Sequence, residues 1–212
     1  SVWTIRIRSC RTPSVGVSYS DEHPGSSWIT ALAFSKDGKR LASGAAFNTD
    51  DSPDMPRGDG SVRIWDWDPA SNTITGGLNQ YYVMEQTIKS LAFSPDGELL
   101  AAASESGDIV LLNVIDLSFF HTVPLHTFEI DSEFPVPVSE IAFSLNGDLL
   151  VAGDHRGHIN IWSMDDFSLV SSLKHDGEIW GVRFSPDGTK LITASGDQTI
   201  RIWGILPEDS NL

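Results

Sequence analysis

The chain has 212 residues and a mass of 23.1 kDa, and 40% of the residues are hydrophobic, which is enough for a buried core and argues against disorder. Its formal charge of −15, from 29 acidic and 14 basic residues, would repel a phosphate backbone or an anionic lipid surface, so neither nucleic acid nor membrane is expected as a partner. The single cysteine, Cys10, allows no internal disulfide or structural zinc cluster, and no apolar run nears the roughly 18 residues of a spanning helix, so a cytoplasmic or otherwise intracellular setting is expected.

The chain opens Ser1-Val2-Trp3-Thr4-Ile5-Arg6, with neither an initiator methionine nor a signal segment, and reads as part of something longer. Within residues 1–22, Thr4-Ile5-Arg6-Ile7 anticipates Thr199-Ile200-Arg201-Ile202 near the other end, so this stretch is expected to supply the last strands of a preceding unit. Four further units follow, over 23–80, 81–128, 129–174 and 175–212. Each carries one phrase: Ala33-Phe34-Ser35-Lys36-Asp37-Gly38, then Ala92-Phe93-Ser94-Pro95-Asp96-Gly97, then Ala142-Phe143-Ser144-Leu145-Asn146-Gly147, and last Arg183-Phe184-Ser185-Pro186-Asp187-Gly188. Apolar runs flank each phrase. Asp or Asn closes a tight turn with its side chain and Gly takes a positive φ, so these are hairpin turns.

The four phenylalanines stand 59, 50 and 41 residues apart, and the shortest interval is about one four-stranded unit of a radial repeat. A second phrase lies 19 residues after Phe in three units: Ile109-Val110-Leu111-Leu112, Ile159-Asn160-Ile161-Trp162 and Ile200-Arg201-Ile202-Trp203. In the first unit it is Val62-Arg63-Ile64-Trp65, pushed 12 residues later by an insertion over 45–58. Upstream of each Phe, aliphatic residues stand five and two positions before it: Ile29 with Leu32, Ile88 with Leu91, Val138 with Ile141, Ile179 with Val182. A separation of three puts the pair on opposite faces of a regular strand, so either both faces are buried or a bulge resets the alternation. No stretch holds a helical period, and the chain reads as all-β.

These phrases, with the Trp65-Asp66 dipeptide, resemble the WD-repeat β-propeller family. The resemblance covers the chain from about His23 onward. It implies antiparallel blades of four strands, a to d, in a partial ring of about four blades plus strands of a preceding one, with the Phe phrase ending strand a and the Trp phrase in strand c. It also implies a hydrogen-bond network that blades of the family often carry, from His before strand a through Ser or Thr in strand b to Trp in strand c, with Asp in the b–c turn holding the His. The last blade has all four members, His175, Thr193, Asp197 and Trp203. The first has His23, Ser43, Asp59 and Trp65, while the middle two have Ala102, Ser106 and Leu112, and Ala152, Arg156 and Trp162, without the histidine. A catalytic triad of His175, Asp197 and Thr193 is the competing reading, and a hydroxyl buried in a sheet without a cleft speaks against it.

The resemblance places partner contacts on the face bearing the d–a and b–c loops. Carried over by position, they are Trp28 and Thr30; Thr87, Lys89 and Glu105; Pro137, Ser139 and His155; and Glu178 and Trp180. The two tryptophans either pack under loops as core or stand exposed as binding anchors. The same face receives the insertion with Asp50, Asp51 and Asp54, and the acidic connection Phe128-Glu129-Ile130-Asp131-Ser132-Glu133-Phe134-Pro135; these are either solvated variable loops or a docking surface for a basic partner.

Other chemistry is thin. His121, His126, His155 and His158 are scattered, and no phosphate loop, zinc-ligand spacing or activated nucleophile occurs, so no metal or cofactor is expected. Cys10 between Arg8 and Arg11 reads as an incidental thiol. The expected function is that of a non-catalytic scaffold for a protein or peptide, with missing blades supplied by a longer parent chain. The alternative is a ligand-sensing or enzymatic propeller using the central channel, which needs polar groups converging from strand a, where Ala, Leu, Ile and Ser predominate.

Overall fold

A computed structural model describes residues 28–48, 58–68, 70–71, 73–84, 86–116, 118–123 and 136–204. These form seventeen strands and, among the described residues, no helix. Blade 1 is the sheet β1(Ile29–Phe34), β2(Arg40–Ala45), β5(Ser61–Asp68) and β6(Thr73–Val83). The b–c insertion adds a two-stranded ribbon, β3(Phe47–Asn48) with β4(Gly58–Asp59). Blade 2 is β7(Ile88–Phe93), β8(Leu99–Ser104), β9(Ile109–Asn113) and β10(Phe119–Val123); blade 3 is β11(Val138–Phe143), β12(Leu149–Asp154), β13(His158–Ser163) and β14(Leu169–Lys174). Blade 4 shows three strands among the described residues, β15(Ile179–Phe184), β16(Lys190–Ser195) and β17(Ile200–Gly204). All neighbours are antiparallel, and β1, β7, β11 and β15 lie side by side as the inner strands of an arc.

Each a–b hairpin is closed by the same small device. Ser35, Ser94, Ser144 and Ser185 accept a backbone bond from Gly38, Gly97, Gly147 and Gly188, whose φ values are 69°, 78°, 90° and 71°. The serine hydroxyl donates to the turn Asp or Asn, at 2.6 Å for Ser35 to Asp37 and 2.5 Å for Ser185 to Asp187, and accepts the amide five residues on. The recurrent phrase is therefore one closed hydrogen-bond circuit, which explains why Ser, Asp and Gly recur together.

The two-face question for strand a is answered by a bulge. Pairing shifts between Ile29 and Ala31, Ile88 and Ser90, Val138 and Glu140, and Ile179 and Gly181. The extra residue turns both aliphatics of the pair to the same side, so Ile88 with Leu91, Val138 with Ile141, and Ile179 with Val182 each share one core cluster.

The core lies between blades. Strand β8 shows this by simple alternation: Leu100 and Ala102 pack in the cluster shared with blade 1, and Ala101 and Ala103 in the cluster shared with blade 3. Strand c does likewise, since Val62 and Ile64 are covered by blade 2, and Ile109 and Leu111 by blade 3. Full burial of each large aliphatic side chain stabilises by about 1.5–3 kcal/mol, so each blade depends on its neighbour for its fold.

Candidate interaction face

The residue six before each strand-a Phe is fixed by one repeated bond. Its carbonyl accepts the amide of a b–c turn residue: Ala46 to Trp28 at 2.8 Å, Glu105 to Thr87 at 2.9 Å, His155 to Pro137 at 3.1 Å, and Gly196 to Glu178 at 2.8 Å. The start of strand a and the b–c turn are thus joined at the same end of every blade, which forms one rim.

On this rim Trp28 is 56% and Trp180 65% exposed. Both stand out from the core. The Trp180 indole lies against Gly196 so closely that a Cβ there would come within 3.3 Å of the ring. His155 and Glu178, from adjacent blades, meet at 3.1 Å between Nε2 and Oε1. Glu105 is exposed and Lys89 half-buried. Thr87 is engaged with the insertion ribbon: its hydroxyl accepts the Phe47 amide at 3.1 Å, which pins β3 to blade 2. The Thr30 hydroxyl is engaged as well, donating to the Ile88 carbonyl at 2.5 Å across the blade 1 to blade 2 boundary. Ser139 turns its hydroxyl inward, away from solvent. Asp50, Asp51, Asp54, His23, Cys10, the strand expected in 1–22 and the acidic connection over 128–135 lie outside the described residues, as does the side chain of Asp59.

In blade 4, His175, Thr193, Asp197 and Trp203 lie in one chain. Trp203 Nε1 donates to Thr193 Oγ1 at 2.9 Å, Thr193 Oγ1 is 2.8 Å from His175 Nε2, and His175 Nδ1 is 2.8 Å from Asp197 Oδ2. Every polar atom is satisfied if the imidazole carries its proton on Nδ1 and accepts the Thr193 hydroxyl at Nε2. His175 and Thr193 are fully buried, which closes the Thr193 hydroxyl to a substrate. Asp197 is held well below the usual carboxylate range, first by the Thr199 hydroxyl and then by His175 and backbone amides, against the opposing effect of burial. In blade 1 Trp65 Nε1 donates to Ser43 Oγ at 2.9 Å.

Two further groupings depend on how one strand sits beside another. In blade 3, Asp154 takes the place that Ser104 and Ser195 hold in blades 2 and 4. It accepts the amides of Arg156 and His158, both at 2.8 Å, and binds His158 Nδ1 at 3.0 Å. His158 Nε2 in turn meets Lys174 Nζ at 2.8 Å, and that ammonium also donates to the Arg156 carbonyl. His155 and His158 therefore serve separate carboxylates, Glu178 and Asp154, and among the described residues no group of three His, Cys, Asp or Glu side chains could hold a metal. The second grouping lies on the inner strands, which line an open groove of about 660 Å³. There Arg183 donates to Glu140 at 2.7 Å and Ser90 to the same carboxylate oxygen at 3.2 Å, tying blades 2, 3 and 4 together. Strand a is thus more polar toward the axis than its Ala, Leu, Ile and Ser content implies.

Blades of antiparallel strands in an arc, joined through their inner strands, define a partial β-propeller. The family model for the WD domain, G-beta repeat, matches residues 17–66, 78–113, 122–163 and 167–204, and the chain belongs to the WD40 repeat family. It is 28% identical over 179 residues to apoptotic protease-activating factor 1 of Homo sapiens, covering 80% of this chain and 13% of that protein. It is 33% identical over 153 residues to a guanine nucleotide-binding protein subunit beta of Zea mays, covering 68% of this chain and 38% of that one. Protein hir1 of Aspergillus terreus is 26% identical over 171 residues, 74% of this chain and 15% of its own length. The chain therefore spans well under half of each of these relatives. WD40 repeats generally serve as non-catalytic scaffolds for protein–protein interaction.

Proposed function

We propose that these blades form part of a longer WD-repeat array that recruits a protein or peptide to the rim carrying the d–a and b–c loops. The observation that carries this is the pair of tryptophans, Trp28 and Trp180, more than half exposed at the strand-a end of the rim in blades 1 and 4, six and four residues before the strand-a Phe. Indoles are costly to leave in water and are enriched among binding anchors, where one polar N–H adds direction to a large apolar surface. The −15 charge, with Glu105 on the rim and Asp50, Asp51 and Asp54 in the insertion, favours a basic partner by steering and by charge complementarity.

The test is an array of basic and acidic peptides probed with the chain at low and high salt. Binding is expected to favour basic peptides, to weaken with salt, and to be lost in the Trp28→Ala/Trp180→Ala variant while its unfolding midpoint stays within a few degrees of the parent. Loss of fold in that variant would make the tryptophans core residues instead. A second reading, a small ligand in the inner groove, draws on Arg183 and Glu140. It is the weaker one because these two charges already satisfy each other at 2.7 Å. Retained peptide binding in the tryptophan variant, combined with loss in Arg183→Gln, would favour the groove.

A further inference from the structure

We propose that the corner of the rim between blades 3 and 4 is a clamp for one arginine side chain of the partner, in which Trp180 stacks on the guanidinium, Glu178 binds it and His155 gates the site by its own charge. This rests on the reading that the rim recruits a basic partner, and it names the group that is recognised and what turns recognition off.

Blade 4 is singular at this rim. The residues six before the strand-a Phe are Trp28, Thr87, Pro137 and Glu178, so Glu178 is the one acid among them, and it is also the one followed two positions later by an aromatic residue. Both Glu178 and Trp180 are set against the same residue of the b–c turn. The Gly196 amide donates to the Glu178 carbonyl at 2.8 Å, and the Trp180 indole runs along Gly196, where an added Cβ would stand 3.3 Å from Cζ2. Glycine thus leaves room for the indole to lie along the turn while Trp180 stays 65% exposed. A carboxylate close to an open indole matches a guanidinium, which is planar, stacks on an aromatic face and donates in a fork to carboxylate oxygens. An ammonium offers the charge without the plane, so arginine is preferred to lysine.

Glu178 already has a partner within the chain. Its Oε1 lies 3.1 Å from His155 Nε2 across the blade boundary, with the Glu178 and His155 side chains 41% and 36% exposed. An exposed pair of this kind adds little to stability, but it sets a titrating group on the carboxylate that the arginine needs. Neutral His155 gives Glu178 a hydrogen bond and leaves its charge in place. Protonated His155 neutralises that charge and adds a positive one that repels arginine. The other charges around this corner are engaged: Asp154 binds His158, whose second nitrogen meets Lys174, Arg156 has a partner of its own, and Asp176 faces Arg201 at 4.0 Å. His155 is therefore the group whose titration reaches Glu178 directly.

The test measures hexa-arginine and hexa-lysine, peptides of equal charge, against the full chain by fluorescence polarisation. The ratio of their affinities cancels the attraction that the −15 charge exerts on both. Hexa-arginine is expected to bind about fivefold more tightly, with the ratio falling to about one in Trp180→Ala and in Glu178→Gln. Between about pH 7.5 and about pH 5.5 the hexa-arginine affinity should fall about fivefold in the parent chain and stay within about twofold in His155→Gln, whose amide keeps the hydrogen bond and takes no charge. A ratio unchanged in both Trp180→Ala and Glu178→Gln would overturn the clamp, and equal pH profiles in the parent and His155→Gln would overturn the gate. Should Trp180→Ala unfold, Glu178→Gln and His155→Gln, which alter exposed groups, decide the outcome. The clamp and the rim reading fail separately. Peptide binding that needs both tryptophans but shows no arginine preference keeps the rim reading and removes the clamp. An arginine preference lost in Glu178→Gln and untouched by Trp28→Ala keeps the clamp and removes the two-tryptophan surface, and absence of binding by either peptide overturns both.

Discussion

Blades 3 and 4 place a tryptophan at the same point of strand c and use it in opposite ways. Trp162 pairs with Leu150 and Trp203 with Leu191, so the two indoles stand in equivalent registers. Trp203 gives its N–H to Thr193 and through it joins His175 and Asp197. Trp162 is 1% exposed, and its N–H has no partner among the described residues. The difference traces to one position in strand b, Thr193 in blade 4 and Ala152 in blade 3. A strand-c tryptophan can thus act as an apolar filler between two blades or as the end of a polar network, and the hydroxyl opposite it decides which. Blade 3 instead secures its rim at Asp154, His158 and Lys174, outside the core.

The largest effect that tests this contrast is removal of the fillers. Trp162→Ala should destabilise by about 3–5 kcal/mol in urea unfolding, because it empties the cluster shared by Leu150, Val138 and Leu111. The sharper comparison is tryptophan to phenylalanine in each blade. Trp203→Phe strands the Thr193 oxygen and should destabilise, whereas Trp162→Phe removes an unpaired N–H and should cost less. Equal losses would mean that the two indoles do the same job.

The network comes next in size. His175→Ala should cost about 1–3 kcal/mol, since it leaves the buried Thr193 hydroxyl without its acceptor and takes one donor from the Asp197 carboxylate. Its counterpart adds rather than removes: Ala152→Ser gives Trp162 the acceptor that Ser43 gives Trp65, and should stabilise blade 3 by about 0.5–1.5 kcal/mol. If Ala152→Ser destabilises instead, the site is too tightly packed for an oxygen, and volume rather than polarity separates the two blades.

Acid tests the turn circuits of blades 1, 2 and 4, where the turn residue is Asp. The Ser185 hydroxyl, then the Thr189 amide and hydroxyl, hold Asp187 at about 2 instead of 3.8, and Asp37 and Asp96 are lowered for the same reason, the turn serine first. A carboxylate with a depressed folded-state pKa contributes stability that is present above its unfolded value and is lost as pH falls through the folded one. The unfolding midpoint should therefore fall between about pH 4 and pH 2, and Asp187→Asn should flatten part of that fall without changing the midpoint's dependence on pH above 5.

These contrasts also show what was legible in the chain itself. Hairpin turns follow from residues at fixed offsets, which are visible in sequence, and strand order and the chain from His175 to Trp203 follow from the family resemblance that those offsets carry. The strand-a bulge is one of two options in sequence because Ile88 and Leu91 have the same spacing either way. Whether Trp28 and Trp180 are covered depends on what other segments lie over them, which no local pattern encodes. The pairs Arg183 with Glu140 and His158 with Lys174 are illegible in sequence for the same reason: their distances are set by how one strand sits beside another.

The smallest expected effect concerns that last grouping. Lys174 precedes His175, so the rim of blade 3 adjoins the network of blade 4, and Arg201 reinforces the junction by donating to the Lys174 carbonyl at 2.6 Å. Only the ammonium of Lys174 reaches His158, and it does so at an exposed site, where competing water and side-chain entropy hold such contacts below about 1 kcal/mol. Lys174→Met should therefore change the unfolding free energy by less than that, in contrast to His175→Ala one residue later. Hydrogen exchange separates a local from a global role: the amides of Arg156 and His158 stay bonded to Asp154 and should keep their protection in Lys174→Met, but lose it in Asp154→Ala. Loss of protection in both would show that the lysine holds the turn, and that blade 3 has a polar lock of its own on the rim equal in rank to the buried one of blade 4.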